Sequence, residues 1–302
     1  MMNNNSNHPM HDFPVRPLQF QLENVRHGDP LWSRTKPEFS AFINALGVHV
    51  PYFERYLILS LSKAKKLIED DRLLKDVSAI IGQEGHHAKN FIAVNRWLAE
   101  RYPEIERLDR EAREYFSEHA KKDGLKKLLG FTAGYETFTF LGGMIVLDKH
   151  DEWFKDADDV MKALWIWHQV EEVEHGAVAF EVYKYLYGEH EWYRKWMVLF
   201  ALIHIAGETL KAYWAIAKKE RWLRNPFVAV KKMGFCVVSL LRFLKSALPV
   251  FSRNYHPKNH PMVTCSQNPI QVAWRNYEKK GGDVLEIDHH RMAEMMGLAK
   301  LS

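Results

Sequence analysis

Seven side chains stand out in this sequence because their types and spacing could hold metal ions. Glu54 lies within VPYFERYLILSL, and Glu84 and His87 lie within AIIGQEGHHAKNFI. Glu136 is alone in a long apolar run, and His168, Glu172 and His175 lie within WIWHQVEEVEHGAVAF. Residues three or four apart on a helix share a face, so Glu84 points with His87 and Glu172 with His175, and His168 joins that second stripe. One Glu from each of two helices, plus Glu-x-x-His from each of two more, is a bundle-core recipe for a carboxylate-bridged pair of metal ions. Four carboxylates offset two divalent cations; without cations, that many buried acids would repel one another. The mixed imidazole and carboxylate donors suit iron first, with manganese and zinc as alternatives.

Each of these features also has a plainer explanation. A single Glu-x-x-His is an ordinary solvated helix face. Glu136 could pair with one buried arginine, and Glu54, beside Arg55, could mark the edge of an amphipathic helix. His168 could orient a ligand carboxylate instead of binding metal itself. It is their occurrence together, in this order, that favours the metal site. Gln83 and Glu171, just before the ligand glutamates, are candidates to orient the ligands. His86 and Glu174 stand about 200° around their helices from Glu84 and Glu172, which sets them apart from the site. Phe140, Met144, Trp165 and Trp167 are expected to pack.

These residues need four long helices, and helical periodicity dominates the chain. Residues 1–36 read as an irregular arm punctuated by prolines. Pro51 opens a helix to about Asp70, and further helices cover 73–101, 104–121, 124–148 and 156–187. Beyond them, helices are expected at 191–218 and 226–247, then a loop from Pro249 to Pro269 and a weak helix at 289–299. The fold class is all-α: a four-helix bundle over 37–190, with a helical extension over 191–302 packed on it as one domain.

The 302 residues are 47% hydrophobic and 26% charged, which excludes disordered and collagen-like classes. Two cysteines, Cys236 and Cys265, cannot form a disulfide framework, and a reducing cytoplasm fits them. The start of the chain shows no secretory signal. The stretch Leu128–Leu147 is long enough to span a bilayer, but Glu136 near its middle favours a buried core helix. Charge is uneven: residues 1–190 sum to −6 and residues 191–302 to +10. Basic residues around Trp222 and Phe227, over 218–232, allow peripheral contact with a membrane, although a solvated face is the simpler reading. No nucleic-acid-binding motif is present. His204 and Glu208 read as a core pair, and the loop bearing Tyr255, His256 and His260 as a cap over the bundle mouth.

The ligand order is similar to that of ferritin-like di-iron proteins. The extra histidine in His168-x-x-x-Glu172-x-x-His175 resembles the arylamine N-oxygenase group. The wider chain resembles a bacterial family of predicted metal-dependent hydrolases over roughly residues 30–270. This resemblance runs through ALGVHVPYFERYL, QEGHHAKNF, WHQVEEVEHGAVAFEVY and NYHPKNHP. Gln83 departs from the aspartate that many di-iron proteins carry at that place. The di-iron resemblance implies O2 activation to oxidise an apolar or amine small molecule, with an electron-donor protein as partner. The alternatives are hydrolysis by a metal-bridging hydroxide, and non-enzymatic iron binding or a scaffold role. The oligomeric state is not readable.

Overall fold

The computed structural model describes residues 8, 10–11, 13–25, 28–264 and 269–285. The helix expected at 289–299, and Cys265, lie outside these residues. The described residues contain no β-strand, only an isolated bridge between Ser33 and Ala157. The helices are α1 (Pro37–Gly47), α2 (Val50–Ala64), α3 (Asp71–Arg101), α4 (Glu104–Lys122), α5 (Leu125–Asp148), α6 (His150–Trp153), α7 (Asp159–His175), α8 (Val178–Tyr187), α9 (Glu191–Lys219), α10 (Pro226–Ser246), α11 (Pro261–Thr264) and α12 (Pro269–Lys279).

Local chemistry sets several of these boundaries. Proline occupies the first turn of α1, α2 and α10, where its missing N–H costs nothing. Asp70 caps α3 by accepting from the Leu73 amide, and Asp158 caps α7 by accepting from Val160 and Met161. Helix α2 packs on α3 and α5, α5 packs on α7 and α8, and α3 packs on α7 and α8. These contacts close a ring of four helical rods. Helix α9 lies across α5 and α1, and α10 lies against α1, α5 and α9. With neighbours on so many sides, α5 is buried over most of its length, including Glu136. The buried apolar residues, from Met10 to Tyr277, form one cluster.

The structure corrects several boundaries. Residues 37–47, left unassigned by the sequence pattern, form α1. The first long helix stops at Ala64 and passes into a 3-10 turn. The single helix expected over 156–187 is two, because the chain bends through Gly176 and Ala177. A Cβ on Gly176 would stand 2.7 Å from Phe140 Cβ, so glycine permits the close approach of α5 there. Helix α12 forms where none was expected. The arm is not free, since Phe13, Arg16, Phe20, Leu22 and Trp32 are all buried.

The α5–α9 contact is the tightest test of this packing. A Cβ on Gly134 would lie 2.6 Å from the Met197 carbonyl oxygen, a backbone atom that cannot swing away. Gly134→Ala should therefore destabilise the protein by about 1–3 kcal/mol in denaturant unfolding, despite alanine's better helix propensity.

Candidate metal centre

The four helical rods bring all seven candidate residues into one buried volume. Glu54 comes from α2, Glu84 and His87 from α3, Glu136 from α5, and His168, Glu172 and His175 from α7. None of the seven is more than 4% exposed. Their donor atoms form two overlapping groups. Glu54, His87, His168 and Glu172 make one, and Glu84, His87, Glu172 and His175 the other; within each, the donors lie within 4.8 Å of one another. His87 and Glu172 belong to both.

In the first group, His168 Nε2 stands 3.0 Å from Glu172 Oε1 and 3.5 Å from Glu54 Oε1. In the second, His175 Nε2 stands 3.3 Å from Glu84 Oε1. His87 Nδ1 sits between the two, 3.4 Å from Glu84 and 3.5 Å from Glu172. Glu136 stands beside these groups, not within them. Its Oε2 is 3.0 Å from His175 Nδ1, and its Oε1 accepts from Thr139 Oγ1 at 3.2 Å.

The inner atoms are poorly satisfied without a cation. Both oxygens of Glu54 and of Glu84, Glu172 Oε2, His87 Nδ1, His168 Nε2 and His175 Nε2 are buried without a hydrogen-bond partner. Buried polar atoms are rarely left so, and these face one another across the same space. Two divalent ions would satisfy them and offset the four carboxylates, so the donor set fits metal.

A second layer of charge surrounds the first. His87 Nε2 donates to Glu171 Oε2 at 2.9 Å, so its Nδ1 faces inward. Arg16, from the N-terminal arm, donates to Glu171 at 2.9 Å and to both oxygens of Glu174 at 2.8 and 3.0 Å. Arg275 of α12 reaches Glu174 at 2.7 Å. Gln83 donates to Glu174 and to the Pro14 carbonyl, so it ties the arm to the acidic stripe of α7. Arg16 and Arg275 thus balance Glu171 and Glu174, leaving the inner carboxylates to cations. Sequence reasoning set Glu174 aside and missed both arginines. The i, i+3 spacing of Glu171 and Glu174, a second acidic stripe beside the first, was the available signal.

The electrostatics follow from burial. Burial pushes the Glu54 carboxyl up to about 7 and that of Glu136 to about 8, with repulsion from Glu84 adding to both. Burial alone would lower His175, but the carboxylates of Glu172, Glu136 and Glu84 raise it to about 10. His87 is likewise raised, against burial, by Glu171, Glu172 and Glu84. Glu172 is held well below the ordinary range: burial opposes this, but His175 and His168 outweigh it.

A family model described as predicted metal-dependent hydrolase matches residues 14–261. The chain belongs to this family. The match takes in Arg16 and all four helices that carry the seven residues, and it stops short of Arg275. No curated protein and no solved structure matches the chain.

Two outcomes follow from this layered charge. Arg16→Met would leave Glu171 and Glu174 short of a buried cation, so it should cost about 3–5 kcal/mol in denaturant unfolding. In the metal-free protein, Glu54, Glu136 and His175 hold protons that the unfolded chain would release. Below pH 6.5, His49 and His204 oppose this, because burial keeps them neutral and they take up protons on unfolding, so the net fall in stability should come as pH rises from 6.5 to about 8, where Glu54, Glu136 and His175 dominate. Metal displaces those protons, so thermal unfolding of the loaded protein should show a shallower fall.

Proposed function

We propose that this chain is a dinuclear metal enzyme of ferritin-like architecture that hydrolyses a bond in a small, largely apolar molecule. The observation that carries this reading is the pair of donor groups sharing His87 and Glu172, buried in a member of the predicted metal-dependent hydrolase family. The ligand order on α2, α3, α5 and α7 supports the ferritin-like assignment. When bound, the metal pair would supply Lewis acidity toward a carbonyl or phosphoryl oxygen.

The protein's own residues supply place and orientation. A narrow cavity of about 40 Å³ adjoins the centre at His168 and Thr139. Its walls include Tyr135, Phe138, Trp165, Ile205 and Phe243, which suit an apolar substrate group. His49 lines the same cavity, and neither of its ring nitrogens has a partner. Burial, with a smaller contribution from His204, pushes its pKa down to about 3. His49 is therefore neutral and offers one donor and one acceptor to a substrate polar atom. His87 and His175 keep fixed orientations through Glu171 and Glu136.

A second reading, oxidation of an apolar or amine substrate with O2 and an electron-donor protein, draws on one specific observation. The third imidazole, His168, stands where the aromatic-lined cavity meets the metal groups. One set of measurements separates the two. Metal per chain is counted by mass spectrometry, and turnover of acyl esters is assayed with and without O2 and reductant. Hydrolysis should persist without O2, stop with chelator and be lost in Glu172→Ala. Turnover only with O2 and reductant would replace the first reading by the second, and folded protein that takes up no metal would end both. His49→Phe should raise KM about two- to tenfold, the worth of one neutral hydrogen bond, while metal content is unchanged.

A further inference from the structure

Helix α9 carries apolar residues on two opposite faces. Inward, Val198, Ala201, Ile205 and Ala212 are buried. Outward, Trp192, Trp196, Phe200, Ile203, Leu210 and Trp214 fall within about 80° of one another at 100° per residue, and all are exposed. Trp192 is 77% exposed and Ile203 70%. Helix α10, which touches α9, repeats the pattern with Phe227, Val230, Val237, Val238, Leu241 and Leu244. Phe227 is 85% exposed and Val230 75%. Isolated exposed apolar residues are normal, but two continuous stripes on neighbouring helices are not.

Cations border these stripes. Arg221 adopts the left-handed backbone conformation (φ 60°) where the chain turns from α9 toward α10. A groove of about 1130 Å³ at this corner is lined by Arg107, Lys218, Lys219, Arg221 and Arg224 beside Leu210 and Trp214. Lys219, Arg221 and Arg224 make no ion pair among the described residues. No helix among those residues is long and apolar enough to cross a membrane. The surface thus joins tryptophans, aliphatic side chains and unpaired cations without a spanning segment.

We propose that the α9–α10 face docks the protein peripherally on a membrane surface bearing anionic lipid. The apolar stripes would enter the boundary between headgroups and acyl chains, and the cations of the corner would meet lipid phosphates. Tryptophan suits that boundary because its ring is apolar and its N–H is polar. Charge selects this occupant over a second copy of the chain. Residues 191–246, which form α9, α10 and the turn between them, sum to +8, so two such faces would repel, whereas anionic lipid attracts each of them.

Vesicle flotation with the full chain tests this. Wild-type protein should float with phosphatidylcholine vesicles containing phosphatidylglycerol, less well as salt rises, and poorly with phosphatidylcholine alone. A W192S/I203S/W214S variant alters only exposed side chains. It should keep its circular dichroism and unfolding temperature while its partition falls at least about tenfold. The variant K218Q/K219Q/R221Q/R224Q should lose a similar factor on anionic vesicles only, and it decides the matter if the first variant misfolds. Absence of flotation by wild type, or unchanged flotation by a folded variant, would overturn the proposal. So would a wild-type dimer in sedimentation that ignores vesicles and that the apolar variant converts to monomer, since a second copy would then cover the face.

Discussion

Four carboxylates and three imidazoles share the middle of an otherwise apolar helical ring, and the cost of burying them constrains everything around it. An isolated charge in such a place would neutralise itself by shifting its pKa or would unfold its surroundings. Burial pushes Glu54 up to about 7 and Glu136 to about 8, in line with that pressure. The chain relieves it in two layers. The outer layer is complete, with Arg16 and Arg275 against Glu171 and Glu174. The inner layer, with its unpartnered oxygens and nitrogens, is left to cations. A structural ion cluster would satisfy its own inner atoms, and this one leaves them unpartnered, which supports the reading of the centre as a metal site.

The outer layer also explains the course of the chain at its ends. The segment around Phe13 to Val25 has no helix long enough to anchor it, yet Phe13, Arg16, Phe20, Leu22 and Val25 are buried. Three polar attachments hold it. Gln83 donates to the Pro14 carbonyl, Arg16 enters the acidic stripe of α7, and Asn90 both accepts from the Phe20 amide and donates to the Leu18 carbonyl. Helix α12 reaches the same stripe from the other end of the sequence through Arg275. The arm and α12 are therefore part of what neutralises the site.

The same distinction separates what the sequence revealed from what it hid. Glu84 with His87, and Glu172 with His175, were legible because helical geometry places residues three apart on one face whatever surrounds them. The helices bearing them were legible from periodicity. Arg16 was hidden because its partner Glu174 lies 158 positions away, and Arg275 because it lies 101 positions from the same carboxylate. No local pattern encodes such distances. Gly176 was visible in the sequence, but its consequence depends on Phe140 of α5, a partner that only packing supplies. His49 has no spacing to the other candidate residues that would mark it in the sequence. Its meaning comes from a cavity whose walls belong to α1, α2, α5, α7, α9 and α10.

Helices α9 and α10 belong to that argument as well. Ile205 and Phe243, on their inner faces, form part of the wall of the cavity beside the metal centre. At the α5 contact the packing is close: Gly130 and Gly134 of α5 admit Met197 and Ala201. A helix meant only to cover α5 would need apolar residues on that face alone and would turn polar ones to solvent. Helix α9 instead turns its largest aromatic residues, Trp192, Trp196 and Trp214, outward. Their exposure cannot follow from the demands of the core, because the inner face already meets those demands with smaller side chains. The outer face answers to a separate constraint, and it lies on the same pair of helices whose inner faces border the cavity.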